Sequence, residues 1–278
     1  MEVDLHIHST ASDGTFSPKE IVQMAVQKNL KAIALTDHDN IDGLKEAQHY
    51  AKLYNLEFVN GIEFSCSSFG NEVHILGYFL NLNDKIFINR IQELLKSRDT
   101  RNKKIIEKLN KNDIMISIED VEKESDGNIL GRVHFANALV RKNYCKDIDE
   151  AFEKFLGKNG LAYEPRINCS PETVVQYLKE NGAFSSLAHP KFISKDENFI
   201  LDLIKKLKNY GLDGIEAEYS SFNSDEKKKY KSWAKKFDLI ITGGSDFHGD
   251  NREHLSLGDA GLNYQQFLKI KKKWEEIL

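Results

Sequence analysis

Short apolar runs alternate with amphipathic stretches along most of the chain, and this alternation restricts the fold more than any other feature. Strand-like segments stand at 2–8, 31–38, 57–65, 74–79, 183–189, 214–220 and 239–248. Helical periodicity fills the gaps. Ser17 and Pro18 read as the cap and first position of a helix reaching about Asn29, a second helix covers 44–54, and others cover 171–181, 196–210 and 225–236 before a last one closes the chain. Seven strands interleaved with helices predict an α/β barrel or a doubly wound sheet.

The alternation breaks between about 82 and 165, where the sequence is charged and helical, with Ile91, Leu94, Leu95, Ile105, Ile106 and Leu109 at helical spacing. Further helices are expected at 132–142 and 148–156. A chain of 278 residues has room for one large domain with such an insertion. The expected division is a barrel of 1–81 with 166–278 and a helical insertion of 82–165. Within the insertion, 85–111 holds nine Lys or Arg against three Asp or Glu, which reads as a solvated helix face or, alternatively, an attraction for a short polyanion. A net charge of −4 excludes the whole-protein basic field of a duplex-DNA binder. Cys66, Cys145 and Cys169 are odd in number and far apart, so neither a disulfide framework nor a thiolate metal site is expected, and a cytoplasmic setting fits best. Neither a secretory leader nor a run long enough to span a bilayer stands out, so no membrane partner is expected.

Parallel α/β folds place chemistry at the C-terminal ends of strands, and the unusual polar residues fall there. His6 and His8 end strand one, Asp37, His38 and Asp39 end strand two, and Glu63 ends strand three. His189 ends strand five, and Asp246 and His248 end strand seven. His74 begins strand four, but the loop 66–73 is too short for a crossover. Strands three and four should therefore form an antiparallel hairpin that returns His74 to Glu63. Six of the chain's nine histidines thus share one rim with Asp13, Glu63 and Asp246. A lone histidine at such a place is ordinarily a core residue bonded to a carbonyl; six together are not. His6 and His8, two apart on a strand, point to one side and need partners for their nitrogens. Metal ions supply them. Imidazole and carboxylate without thiolate suit Mn, Fe or Zn in a catalytic site, and nine candidate ligands suit two or three divalent ions. Three divalent ions with three carboxylates carry about +3, which favours a phosphate dianion and its in-line displacement.

The segments "HIHSTASDG", "LTDHDN", "GIEFSC", "EVHILGYF", "AHP" and "GGSDFHG" resemble the PHP (polymerase and histidinol phosphatase) family of metal-dependent phosphoesterases, over residues 3 to about 261. The chain looks closest to the branch that cleaves phosphate from nucleotides. Its "GRVHFANALV" (131–140) and "FLGKNGLAYEPRINCSPETVV" (155–175) resemble that branch's helical insertion and return to the barrel, with Val133 where related insertions often carry proline. The resemblance implies a distorted (β/α)7 barrel with a trinuclear site. His6, His8, Glu63 and Asp246 would hold one ion, Asp13, His38 and His248 a second, and Glu63 with His74 and His189 a third, manganese being the first expectation. It implies hydrolysis by a metal-bridging hydroxide, with Asp13, Glu63, Asp246 and His248 at the reaction centre.

Arg132 and His134 are candidates to grip substrate phosphate, the bland alternative being a surface arginine and a packing histidine. Lys158 and Arg166 are phosphate contacts or solvated surface, and Ser12 is a phosphate donor or a turn cap. His49 reads as surface; His254 and Lys191 are weaker candidates beside the rim. The expected substrate is a small phosphorylated molecule: a 3′,5′-bisphosphorylated nucleotide losing its 3′-phosphate, or short RNA trimmed from its 5′ end. The alternatives are a histidinol-phosphate phosphatase and, in another class, a non-catalytic metal- or nucleotide-binding module.

Overall fold

A computed structural model describes residues 1–125, 130–164, 169–252 and 254–277. Seven strands form one sheet in chain order: β1 (Val3–Asp4), β2 (Ala32–Leu35), β3 (Glu57–Ser68), β4 (Asn71–Tyr78), β5 (Phe184–Leu187), β6 (Gly214–Tyr219) and β7 (Ile240–Gly244). Ile7 and Phe247 form a parallel bridge, and His6 O accepts from the Asp246 N–H at 2.8 Å. The ends of the first and last strands therefore meet, and the sheet curls into a nearly closed barrel. The chain divides into two compact units, Met1–Ile88 with Asn168–Leu278, and Asn89–Ile167. Among the described residues no helix is long and apolar enough to cross a membrane.

Neighbouring strands are parallel except around β4, which runs antiparallel to both β3 and β5. The hairpin expected from the short loop is present and tighter than expected. Its turn is Phe69 and Gly70 alone, both at positive φ (49° and 82°), as a two-residue turn between twisted strands requires. The other strands are short. β2 is AIAL with all four residues buried, the continuous apolar run of a parallel strand covered on both faces. The strand expected over 2–8 is a two-residue β1; beyond it the backbone pairs irregularly toward β7, with Leu5 N–H bonded to Gly243 O.

The helices follow local signals. α1 (Pro18–Gln27) has proline at its first position and a reciprocal cap, in which the Ser17 hydroxyl accepts from the Glu20 N–H and the Glu20 carboxylate accepts from the Ser17 N–H at 2.8 Å. α2 (Leu44–Leu53) precedes β3. The second unit is built from most of α3 (Lys85–Asn110), with α4 (Ile118–Glu122), α5 (Arg132–Arg141) and α6 (Ile148–Ala151). α6 runs into a π-helical turn, Phe152–Leu156, where a single helix was expected. This unit has its own core around Ile105, Leu109, Phe135, Leu139 and Leu156. The basic stretch of α3 is not simply a solvated face: Arg98 and Arg101 are buried, and Lys104 and Lys108 pair with Glu164 at 3.0 and 2.8 Å.

α7 (Pro171–Asn181), α8 (Glu197–Tyr210) and α9 (Ser224–Lys236) connect the later strands, and α10 (Tyr264–Glu275) ends the series. Phe267 and Ile270 of α10 pack with Val3, Ala32, Val59 and Phe184 near the strands' N-terminal ends. That apolar floor leaves the C-terminal ends for polar residues.

Candidate metal centre

The nine predicted residues converge at those C-terminal ends. Four atoms meet at the centre. His6 Nε2 lies 3.2 Å from Glu63 Oε2 and 3.3 Å from Asp246 Oδ1, and His8 Nε2 lies 3.1 and 3.2 Å from the same two oxygens. All four are buried and none has a hydrogen-bond partner. Unpartnered buried polar atoms are costly. Ligands about 2.1 Å from a common ion stand roughly 3.0–3.5 Å from one another, so these spacings are the edges of a coordination polyhedron. The donor set fits a divalent ion.

Two further groups adjoin it. His8, Asp13, His38 and His248 have ligand atoms within 4.8 Å of one another, as do His38, Glu63 and His74. His189 completes the rim, its Nε2 2.9 Å from the Glu63 Oε1 that also lies 2.9 Å from His74 Nδ1. Glu63 therefore presents Oε2 to His6, His8 and His38 and Oε1 to His74 and His189.

Backbone geometry explains why these residues arrive together. His38 bridges Glu63 between β2 and β3, so the two strand ends are level. Asp246 sits in the left-handed region (φ 57°) and His189 near its edge (φ 24°), conformations that a non-glycine residue keeps only when its surroundings impose them. Gly244 lies so close to His6 that a Cβ there would fall 2.4 Å from the His6 N and Cβ; only glycine lets β7 approach. The turn after His8 is equally tight at Gly14, where a Cβ would meet His8 O at 2.4 Å.

Electrostatics follow from crowding six imidazoles around Asp13, Glu63 and Asp246. Burial would raise Glu63, Asp13 and Asp246, but the surrounding histidines outweigh it and hold all three carboxyls well below the ordinary range. Burial would lower His8 and His74, but the neighbouring carboxylates push them up to about 9 and about 10. His38 goes the other way, down to about 3, because burial outweighs Glu63 and Asp13.

Three further residues complete the centre, and sequence reading missed them. Glu216 of β6 is fully buried; its Oε1 is 3.0 Å from His6 Nδ1 and its Oε2 accepts the His189 N–H at 2.8 Å. Asp246 Oδ2 accepts from the Tyr219 hydroxyl at 2.6 Å and from Arg252 Nη1 at 2.7 Å, which leaves Oδ1 to face His6 and His8. The available signal for Glu216 was a carboxylate inside a buried strand. Arg252 and Tyr219 had none.

Asp37 and Asp39 are not among the converging groups. Asp37 accepts from Ser9 N–H, Ser9 Oγ and Ser12 Oγ at 2.6–2.7 Å and so ties down the loop that carries Asp13. Ser12 is buried, and its hydroxyl faces two carboxylates of this turn, Asp37 Oδ1 at 2.6 Å and Asp13 Oδ1 at 3.1 Å, the contacts of a turn cap. Arg132 and His134 start α5 in the second unit, where the buried His134 caps the helix by accepting the Gly131 N–H on Nδ1 at 3.1 Å. Lys158 is exposed in the same unit, and Arg166 lies outside the described residues. His49 is exposed, and Lys191 pairs with Glu226 at 2.8 Å. His254 lines a pocket of about 600 Å³ at the rim, together with His189, Phe192, Tyr219 and Arg252.

The PHP domain profile matches residues 4–206. The chain belongs to the PHP family. Among PHP relatives, a 5′-3′ exoribonuclease of Haemophilus influenzae is 32% identical over 88% of this chain and 89% of its own length. A 3′,5′-nucleoside bisphosphate phosphatase of Chromobacterium violaceum is 30% identical over 92% of this chain and 90% of its own. A crystal structure of a candidate metal-dependent phosphoesterase from Bifidobacterium adolescentis superposes with a TM-score of 0.81 at 25% identity, covering 96% of this chain and 94% of that one. These PHP relatives are hydrolytic phosphoesterases, and the rim of this chain carries the ligand groups for divalent metal.

Proposed function

We propose that this protein is a metal-dependent phosphoesterase acting on nucleotides, removing the 3′-phosphate of 3′,5′-bisphosphorylated nucleotides or trimming short RNA from the 5′ end. The observation that carries this reading is the set of four unpartnered buried donor atoms at 3.1–3.3 Å beside a rim pocket that holds a guanidinium. The names of the two sequence relatives supply the nucleotide part of the reading.

His6, His8, Glu63 and Asp246 would hold one ion, and Asp13, His38 and His248, with His8 beside them, a second. Glu63 with His74, His38 and His189 would hold a third. Nitrogen and oxygen donors without thiolate suit manganese first, with iron or zinc as the other fits. Bound divalent ions supply Lewis-acid polarisation of the phosphoryl group and a nucleophile at neutral pH. The chain does the rest. With Glu216 Oε1 3.0 Å from Nδ1, His6 would keep its Nδ1 proton when metal is bound and offer the Nε2 lone pair to the ion. Tyr219 and Arg252 fix Asp246, and Arg252 also lines the pocket, where a guanidinium suits phosphate oxygens. Burial of the centre keeps these interactions strong.

The test is a turnover panel of 3′,5′-bisphosphonucleotide, 5′-mononucleotide, short 5′-phosphorylated RNA and histidinol phosphate, with manganese supplied. Turnover of the bisphosphonucleotide or the RNA is expected. Exclusive turnover of histidinol phosphate overturns the substrate reading, and inertness of the manganese-loaded protein on every ester overturns the enzyme reading.

A further inference from the structure

Phe192 stands out at the rim. It is 57% exposed, whereas the ligand groups beside it are buried or nearly so. It ends a 3-10 turn, Pro190–Phe192, that starts directly after His189, and its N–H donates to His189 O at 3.1 Å. The turn fixes the ring against the centre. Its centroid is 5.8 Å from the His189 ring and 5.9 Å from the Tyr219 ring, at interplanar angles of 60° and 68°. Both are edge contacts, so neither neighbour stacks flat on it. The Lys191 ammonium stands 6.0 Å from the ring centroid and is drawn to Glu226. A large aromatic surface is thus held open in the pocket that also contains Arg252 and the faces of Glu63 and Asp246.

A phosphate has no use for such a surface, but the group esterified to it does. His189 lies between Phe192 and Glu63, with Nε2 2.9 Å from Oε1. The aromatic surface and the candidate ligand oxygens therefore flank the same side chain and line one pocket, so a phosphate ester whose phosphate meets the ligand groups can bring its organic part to Phe192. We propose that Phe192 is the platform on which the nucleobase of the substrate stacks, and that it makes this site prefer phosphate esters carrying a flat aromatic base over base-free sugar phosphates. The proposal rests on the nucleotide reading above. Every base offers a π-face, so the four bases should be accepted alike.

The test compares wild type, Phe192→Ala and Phe192→Trp on adenosine 3′,5′-bisphosphate and on ribose 5-phosphate, by kcat/KM with manganese and by equilibrium binding of the same two compounds. Phe192→Ala should lose about 5- to 150-fold on the nucleotide, the effect of one base–aromatic stack, with less than about twofold change on the sugar phosphate; Phe192→Trp should keep the preference. Equal loss on both compounds, or on neither, overturns the proposal. If wild type binds the nucleotide through Phe192 but hydrolyses nothing, the platform stands and the phosphoesterase reading fails. If wild type hydrolyses both compounds with no preference that depends on Phe192, the reverse holds.

Discussion

Glu216→Gln isolates how the candidate centre is held, because the change removes one charge and almost no volume. The carboxylate accepts on both oxygens: Oε1 faces His6 Nδ1 at 3.0 Å and Oε2 takes the His189 N–H at 2.8 Å. A glutamine has one oxygen and one NH2 group, so one of these two places must receive a donor. If NH2 faces the His189 N–H, two donors meet in a buried site, at a cost of about 1–3 kcal/mol in stability. If NH2 faces His6, Nδ1 must accept, and the imidazole proton moves to Nε2, the atom 3.2 and 3.3 Å from Glu63 and Asp246. Ligation is then blocked. Loss of such a supporting partner costs about 10- to 100-fold in metal affinity, equivalent to about 1.4–2.7 kcal/mol. Calorimetric titration of metal-stripped protein with manganese, with the bound metal counted, reads the affinity. Thermal unfolding with and without metal reads the stability, since free metal at concentration M stabilises the folded state by RT ln(1 + M/Kd). Wild-type affinity within twofold, unchanged stoichiometry and an unchanged unfolding midpoint together would show that Glu216 does not orient His6.

Three other outcomes are expected. His8→Ala removes a nitrogen from the central group and should cost more metal affinity than the roughly 10- to 100-fold of a supporting residue, with a lower metal count and lost turnover; a full metal complement would contradict the ligand role. Arg252→Ala should weaken binding of phosphate esters by about 10- to 100-fold, the worth of a charged hydrogen bond, and Arg252→Lys should recover only part, because a single ammonium cannot bond Asp246 and a phosphate as a fork does; full recovery by lysine would argue against that geometry. Metal binding should release protons. His8 and His74, held up at about 9 and about 10 in the metal-free protein, carry protons at neutral pH that must leave before ligation, whereas His38, at about 3, does not. Because the metal-free state binds more protons, affinity should rise from pH 7 toward about 9–10. Binding heats that do not depend on the ionisation heat of the buffer would refute this.

Much of the site was legible because its signals are local. His6 and His8 share a side because a strand repeats every two residues, and the short connection between Glu63 and His74 forces a hairpin, with Ser65 opposite His74 in the register. The boundaries were less legible. The first strand shrinks to Val3–Asp4 because its later residues pair with β7, on the far side of the barrel closure. Ser12 reads as a phosphate donor or a turn cap along the chain, and no local pattern marks its contact with Asp37, 25 residues away.

The sequence by itself determined the alternation of strands and helices, the place of the histidines and acids at strand ends, and a donor set of nitrogen and oxygen without sulfur. These follow from periodicity, loop length and residue chemistry, which act over a few positions. Only the tertiary structure decided which atoms meet. Glu216 lies 210 residues from His6, and it joins the centre because barrel closure sets β6 beside β7 and β7 beside β1. The same closure turns Asp246 so that Tyr219 and Arg252 take one oxygen and leave the other to the imidazoles. Such pairings depend on the distance between chain segments in space, and no pattern along the chain encodes that distance.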